Sequence, residues 1–334
     1  MRGTLRIHFT DADLARLRLA EGPDPLWEIV LASQKLGATT GGLAFDHWRA
    51  VVGEGPAPER RRSSAGMVRA LVPRHGSFPD FITPVEGMQG LEAGVATLAR
   101  TPAARMRTEF EVIARTQRLP SSARGLTAGS ADAMRELVGA VRAFHDTCVA
   151  PYWPVVQAHV DADRALRARA FLDGGCEGVL NSLRPVVRWS KPVLEADYPV
   201  DTDVHLRGRG LVLVPSFFCW SNPVTLMDRS CPVPVLVHPV EHDLTLTAAH
   251  GDLPGAAGTR LEALVGRTRG RLLAGLTDMR STGELARRFA LSSPAVSQHI
   301  GVLRDAGLVV TRRDGNRSLH HRTALGTALC DTTL

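Results

Sequence analysis

Ser297 and Gln298 stand together in the segment SSPAVSQHIGVLRDAGLV, residues 292–309. Their chemistry is recognition rather than reaction. A glutamine amide offers a donor and an acceptor side by side, the pattern that pairs with the major-groove edge of adenine, and a serine hydroxyl serves a base or a phosphate. Both residues point away from Val296, Ile300 and Leu303, whose intervals of four and three put them on one side of a helix. The far side carries Pro294, Ser297, Gln298 and Gly301. It is small and mostly uncharged where an ordinary surface helix bears Glu and Lys.

Cations follow. The stretch LVVTRRDGNRSLHHRT reads as strand, turn, strand, with Asp314-Gly315 at the tip and Arg312, Arg313 and Arg317 around it. Such a hairpin can set its guanidinium groups on phosphates. The candidate nucleic-acid contacts are therefore Ser293, Pro294, Ser297, Gln298, His299, Arg304, Arg312, Arg313, Asn316 and Arg317.

Other constellations point elsewhere. HPVEH at 238–242 has the spacing of an inverted zinc-peptidase motif, which needs both histidines on one helix face. It follows the strand-like VPVLV and contains Pro239, so a helix is not expected. His299, His320, His321 and Cys330 are near in sequence, yet His320 and His321 point to opposite faces of a strand. No metal site is expected. Trp27, His145, Trp153 and His159 are candidates for lining a ligand pocket, with a packed core as the alternative for each. There is no GxSxG, no P-loop and no dinucleotide fingerprint. No catalytic residue and no cofactor are assigned.

The elements that must hold these residues can be read from local signals. Ser281 and Glu284 form the capping-box pattern at the start of one helix, and Ser292 caps the next, with Pro294 in its first turn. A helix over roughly 259–276 precedes them, and HGDLPGAAG at 250–258 has linker composition. Near the N-terminus TLRIHF reads as a strand running into a helix capped by Thr10, followed by a helix capped by Asp24 with Pro25 at its first position. Residues 53–62 read as a loop. Ser130 caps a helix whose apolar positions are Met134, Leu137, Val138, Val141, His145 and Cys148, and a second long helix runs to about Leu172. Between 186 and 240 the Val-rich, Pro-punctuated texture predicts two or three strands.

Charge divides along the chain. The 334 residues carry 40 basic and 34 acidic groups, a net charge of +6. From Arg260 onward there are 12 arginines, no lysines and 6 acids, so the whole excess lies in the last quarter. A basic segment of that kind suits a polyanion. Five scattered cysteines without a CxxC predict reduced thiols in the cytosol. No apolar run is of membrane-spanning length, and the first residues lack a signal-peptide core.

In the C-terminal quarter the ordered set ELA, LS, SxH, LRxAGLV and RRxGN resembles the winged helix-turn-helix of ArsR/SmtB-like transcriptional regulators. The cysteine pair that metal-sensing members carry is missing from GELARRF. The passages LRIHFTDADLARLRLAEGPDPLWEIV and GRGLVLVPSFFCW resemble a group of actinobacterial regulators with a large N-terminal domain. The expected class is α+β: a mostly helical N-terminal domain with a small antiparallel sheet over 1–257, then a winged helix over 258–334. The expected protein is a cytoplasmic, homodimeric regulator that binds double-stranded operator DNA; the resemblance implies a repressor, and the N-terminal domain is expected to dimerise, to bind a small-molecule effector, or both. The alternative is an enzyme or small-molecule carrier at the N-terminus with an autoregulatory DNA-binding domain. A winged helix used for protein contact is a third reading.

Overall fold

A computed structural model describes residues 3–36, 42–54, 58–73, 78–115, 118–226, 233–243, 265–276, 279–314 and 317–331. The chain divides into two compact units, Met1–Leu244 and Thr245–Leu334. The boundary expected at 257–258 and the linker at 250–258 lie outside the described residues.

The first unit mixes helices with two four-stranded sheets. One sheet has β1 (Gly3–His8) between β4 (Val193–Tyr198) and β5 (Thr202–His205), with β3 (Val187–Ser190) outside β4. The other has the order β2 (Leu17–Leu19), β6 (Leu211–Ser216), β8 (Val235–Pro239), β7 (Val224–Leu226). The sheets are mixed, not antiparallel as the sequence suggested. β1 runs parallel to β5, and β2, β6 and β8 run parallel to one another. The cause is burial on both faces. All six residues of β6 are buried, as parallel strands require. Val212 and Val214 enter the core shared with the helices, and Leu211 and Leu213 enter a second core against β1 and β4.

Helical starts follow their caps. Thr10 and Asp13 make a capping box, but that helix, α1, is only Asp11–Leu14 before the chain turns into β2. Asp24 caps α2 (Pro25–Lys35) by accepting from Leu26 and Trp27 N–H. Next come α3 (Gly42–Glu54) and α4 (Pro58–Leu71). The loop expected over 53–62 is thus mostly helix. Pro58 takes a first-turn position, where its missing N–H costs nothing, and Arg60–Arg62 are good helix formers. Four further helices are α5 (Leu91–Ala99), α6 (Ala103–Ala114), α7 (Ser122–Thr127) and α8 (Ala131–Phe144), the last capped by Ser130. The long α9 (Trp153–Ser182) is broken at Gly174 and Gly175, the latter at φ 60°.

The second unit has its own core of Leu272, Leu273, Leu276, Leu285, Val296, Ile300, Leu303 and neighbours. Among the described residues its helices are α10 (Arg267–Gly275), α11 (Thr282–Phe289), α12 (Ser293–Asp305) and α13 (Ala324–Asp331). Its sheet has the order β10 (Val309–Asp314), β11 (Arg317–Arg322), β9 (Arg280–Ser281).

Candidate nucleic-acid interface

Three devices aim α12. The capping box closes α11: the Ser281 side chain accepts from Glu284 N–H, and Glu284 accepts from Ser281 N–H at 2.8 Å. The turn that follows puts Ala290 in the left-handed region at φ 53°, and Leu291 N–H returns to Ala286 O at 2.9 Å. Ser292 then caps α12 by accepting from Ala295 N–H. Val296, Ile300 and Leu303 are buried and fix the rotation of α12 about its axis. Phe289 packs over Gly275, where a Cβ would collide with its ring. This lets α10 and α11 approach closely.

With the inner stripe fixed, the outer face follows. Ser293, Pro294, Ser297 and Gln298 are exposed, His299 is half-buried, and Arg304 is exposed with Nε and Nη2 on Asp305 at 3.2 and 3.1 Å. One residue escaped the sequence reading. Val302, four residues after Gln298, is 44% exposed. An apolar side chain one turn along that face has the chemistry to meet a thymine methyl. The signal was its position at 3.6 residues per turn from Gln298, hidden because Val is read as core by default.

The hairpin β10–β11 pairs Val309 with Arg322 and Asp314 with Arg317. Its base is tied to α11 through His320, which is buried between Thr282 Oγ1 and Thr311 Oγ1 at 2.9 Å each. Burial lowers the His320 pKa, with Arg304 adding to the effect. Arg322 donates to the Leu273 and Ala274 carbonyls at the end of α10. Arg312 and Arg313 are exposed and alternate between the two faces of the strand. Neither has an ion pair among the described residues. Asn316 and the Gly315 tip lie outside the described residues, and Arg317 is placed only as the first residue of β11.

The comparisons decide what this arrangement is. Residues 267–312 match the family described as a helix-turn-helix domain. The match runs from α10 through α12 into β10, so the exposed face of α12 is the second helix of a helix-turn-helix. Such a domain indicates DNA-binding regulation. Comparison with curated proteins returns no match.

The ligand candidates in the first unit do not form one group. His145 and Trp153 are neighbours, with ring centroids 6.1 Å apart. Trp27 is 2% exposed and packs on Phe78 instead. His159 has both ring nitrogens on carbonyl oxygens, Val155 O at 2.7 Å and Asp243 O at 3.0 Å, and stacks by its edge on Phe217. HPVEH places His238 and Pro239 in β8, and residues 240–242 lie outside any helix. Among the described residues no three His, Cys, Asp or Glu side chains converge as metal ligands, and no disulfide joins the described cysteines. No helix among them is long and apolar enough to cross a membrane.

The strongest electrostatics of this unit were not visible in sequence. Glu28, on α2, is fully buried and accepts from Ser216 Oγ at 2.9 Å, Phe217 N–H at 2.9 Å and Phe218 N–H at 3.0 Å. Burial pushes its pKa up to about 7 against those donors. Asp24, one turn earlier, is also pushed up to about 7 by burial. Perturbed carboxylates are a mark of active sites. Here, though, the Glu28 oxygens are spent on backbone N–H groups and a hydroxyl, which holds α2 to the end of β6, while Asp24 caps α2 through Oδ1 and keeps Oδ2 buried without a hydrogen-bond partner.

Proposed function

We propose that the chain is a transcriptional regulator of the ArsR/SmtB-like kind, in which α12 reads the major groove and the wing β10–β11 binds the backbone. The carrying observation is the exposed, uncharged face of Ser293, Pro294, Ser297, Gln298 and Val302, flanked by the unpaired Arg312 and Arg313. In this reading the protein is a homodimeric repressor. Its first unit senses a small molecule rather than transforming one, a reading supported by the commitment of buried Glu28 to the N–H groups of Phe217 and Phe218.

The test starts with an operator selected from random-sequence DNA by the full chain. Gln298→Ala is expected to weaken operator binding by about 1–3 kcal/mol and to leave binding to unrelated DNA nearly unchanged. Equal losses on both sequences would remove Gln298 from base reading.

A further inference from the structure

A cavity of about 280 Å³ opens at the C-terminal ends of the parallel strands β6 and β8. Loops converge there from adjacent parallel strands, and ligands of open sheets with parallel strands gather at that end. The loop after β6 contributes Trp220 and Ser221, the segment after β8 contributes Glu241 and His242, and α9 and the chain beyond it contribute Arg167 and Arg184.

The walls are fixed in advance. Glu28 holds the N–H groups of Phe217 and Phe218. Ser221 sits at φ 59°, and Asn222 N–H donates to Trp220 O at 2.7 Å across it. That tight three-residue turn is a strained conformation for a non-glycine residue, costing on the order of 1–3 kcal/mol, and such strain concentrates at ligand clamps. The Trp220 ring rests on Phe45 and His242 at centroid distances of 5.4 and 5.2 Å and remains 36% exposed. His242 Nε2 donates to Phe217 O at 2.8 Å, which leaves Nδ1 as an acceptor.

The charges differ in their availability. Arg167 is 5% exposed and committed, with Nε and Nη2 on Asp163 and Nη1 on Ser182. Arg184 and Glu241 are exposed, and neither has an ion pair, with the other or with any other described residue. One cavity thus offers a free cation, a free anion and an exposed indole.

We propose that this cavity binds a small zwitterion bearing a planar ring, of the aromatic α-amino acid class, with its carboxylate on Arg184, its ammonium on Glu241 and its ring against Trp220. Selection is by repulsion as well as attraction. A ligand with only a carboxylate meets Glu241 unpaired, and one with only an amine meets Arg184. The volume lies just below the roughly 300–1,000 Å³ typical of ligand sites, which suits one or two rings. The assignment deepens the effector reading of the first unit and rests on it.

The experiment is calorimetric titration of the full chain, without DNA, with L-phenylalanine, L-tyrosine and L-tryptophan, and with 3-phenylpropanoate and 2-phenylethylamine as one-charge analogues. At least one amino acid is expected to bind tenfold or more tightly than both analogues. Glu241→Gln should abolish the discrimination against 3-phenylpropanoate, Arg184→Gln that against 2-phenylethylamine, and Trp220→Ala should weaken the amino acid at least tenfold. All three sites are exposed, and thermal melts check that each variant folds. No heat with any of the three amino acids, equal binding of an analogue, or affinities unmoved in all three variants overturns the assignment. Operator binding with and without the bound amino acid separates the two readings. Binding in the cavity with no change in DNA affinity defeats the effector reading and keeps the site. DNA binding with no amino acid binding defeats the site and leaves the DNA-binding reading standing.

Discussion

Asp24 shows how much a single buried group can contribute to the pH response of this protein. Oδ1 caps α2 by accepting from Leu26 N–H at 2.8 Å and Trp27 N–H at 3.3 Å, while Oδ2 is buried without a hydrogen-bond partner. Burial therefore outweighs the two donors, and the group is pushed from 3.8 up to about 7. A folded pKa above the unfolded one means that the native state keeps a proton the unfolded chain releases. The associated stability is full below about 3.8 and is lost as pH rises toward about 7. Glu28 acts with the same sign over its own window. Asparagine caps a helix as well as aspartate and has no charge to bury. Asp24→Asn should thus gain on the parent by on the order of 1–3 kcal/mol as pH goes from 4.5 to 8, seen as a smaller fall in thermal midpoint. Melting curves that fall in parallel for the two proteins would show that Asp24 does not hold its proton in the native state.

At the scale of elements, the turn between α11 and α12 carries a cost that can be removed. Ala290 occupies the left-handed position of a helix C-terminus, where glycine is the usual residue. A Cβ there costs roughly 1–2 kcal/mol, and glycine returns part of that gain as unfolded-state entropy. Ala290→Gly should stabilise the second unit by up to about 1 kcal/mol in chemical denaturation while leaving DNA affinity unchanged. A loss of stability would mean that the methyl packs usefully. The wing makes its own prediction. Each arginine that neutralises a phosphate adds about 0.9 to the slope of log affinity against log salt. Replacing Arg312 or Arg313 singly with Ala should reduce the slope by about 1, and slopes unchanged in both variants would place the wing off the DNA. These elements were legible because their signals are local: a capping box at Ser281 and Glu284, an N-cap at Ser292, a stripe at Val296, Ile300 and Leu303, and a turn at Gly307, where φ is 74°. The sheets of the first unit were not, because pairing partners are not local. Leu5 pairs with Thr202 and Leu17 with Leu211. Periodicity shows that a segment can be a strand, and says nothing about what lies beside it or in which direction. The cavity was hidden for the same reason. Arg184, Trp220 and Glu241 meet only because β6 and β8 end side by side.

At the scale of the whole molecule, the division of charge matters most. All of the net charge of +6 falls from Arg260 onward, and the residues before it balance at 28 basic and 28 acidic. A neutral first unit adds little to phosphate binding, so in the proposed homodimer its contribution to affinity comes by another route. A lone winged helix has few phosphate contacts and engages one half-site weakly. Two copies joined through their first units make the second contact intramolecular, and affinity rises by effective concentration without a new contact. The half-sites should then lie about one helical turn apart, roughly 10–10.5 base pairs, or a multiple of it. A ligand bound by the first unit can alter this only if it favours one arrangement of the paired winged helices, because equal affinity for both shifts nothing. The fragment 258–334 carries the core of the second unit and the residues proposed to read DNA. It is therefore expected to bind the operator at least tenfold more weakly than the full chain, and to ignore any amino acid that moves the full chain. Operator titrations of both proteins at one salt concentration, with sedimentation to count subunits, check this. A full-length monomer that binds no better than the fragment would end the role of the first unit as a dimerising scaffold and return it to consideration as an enzyme or carrier.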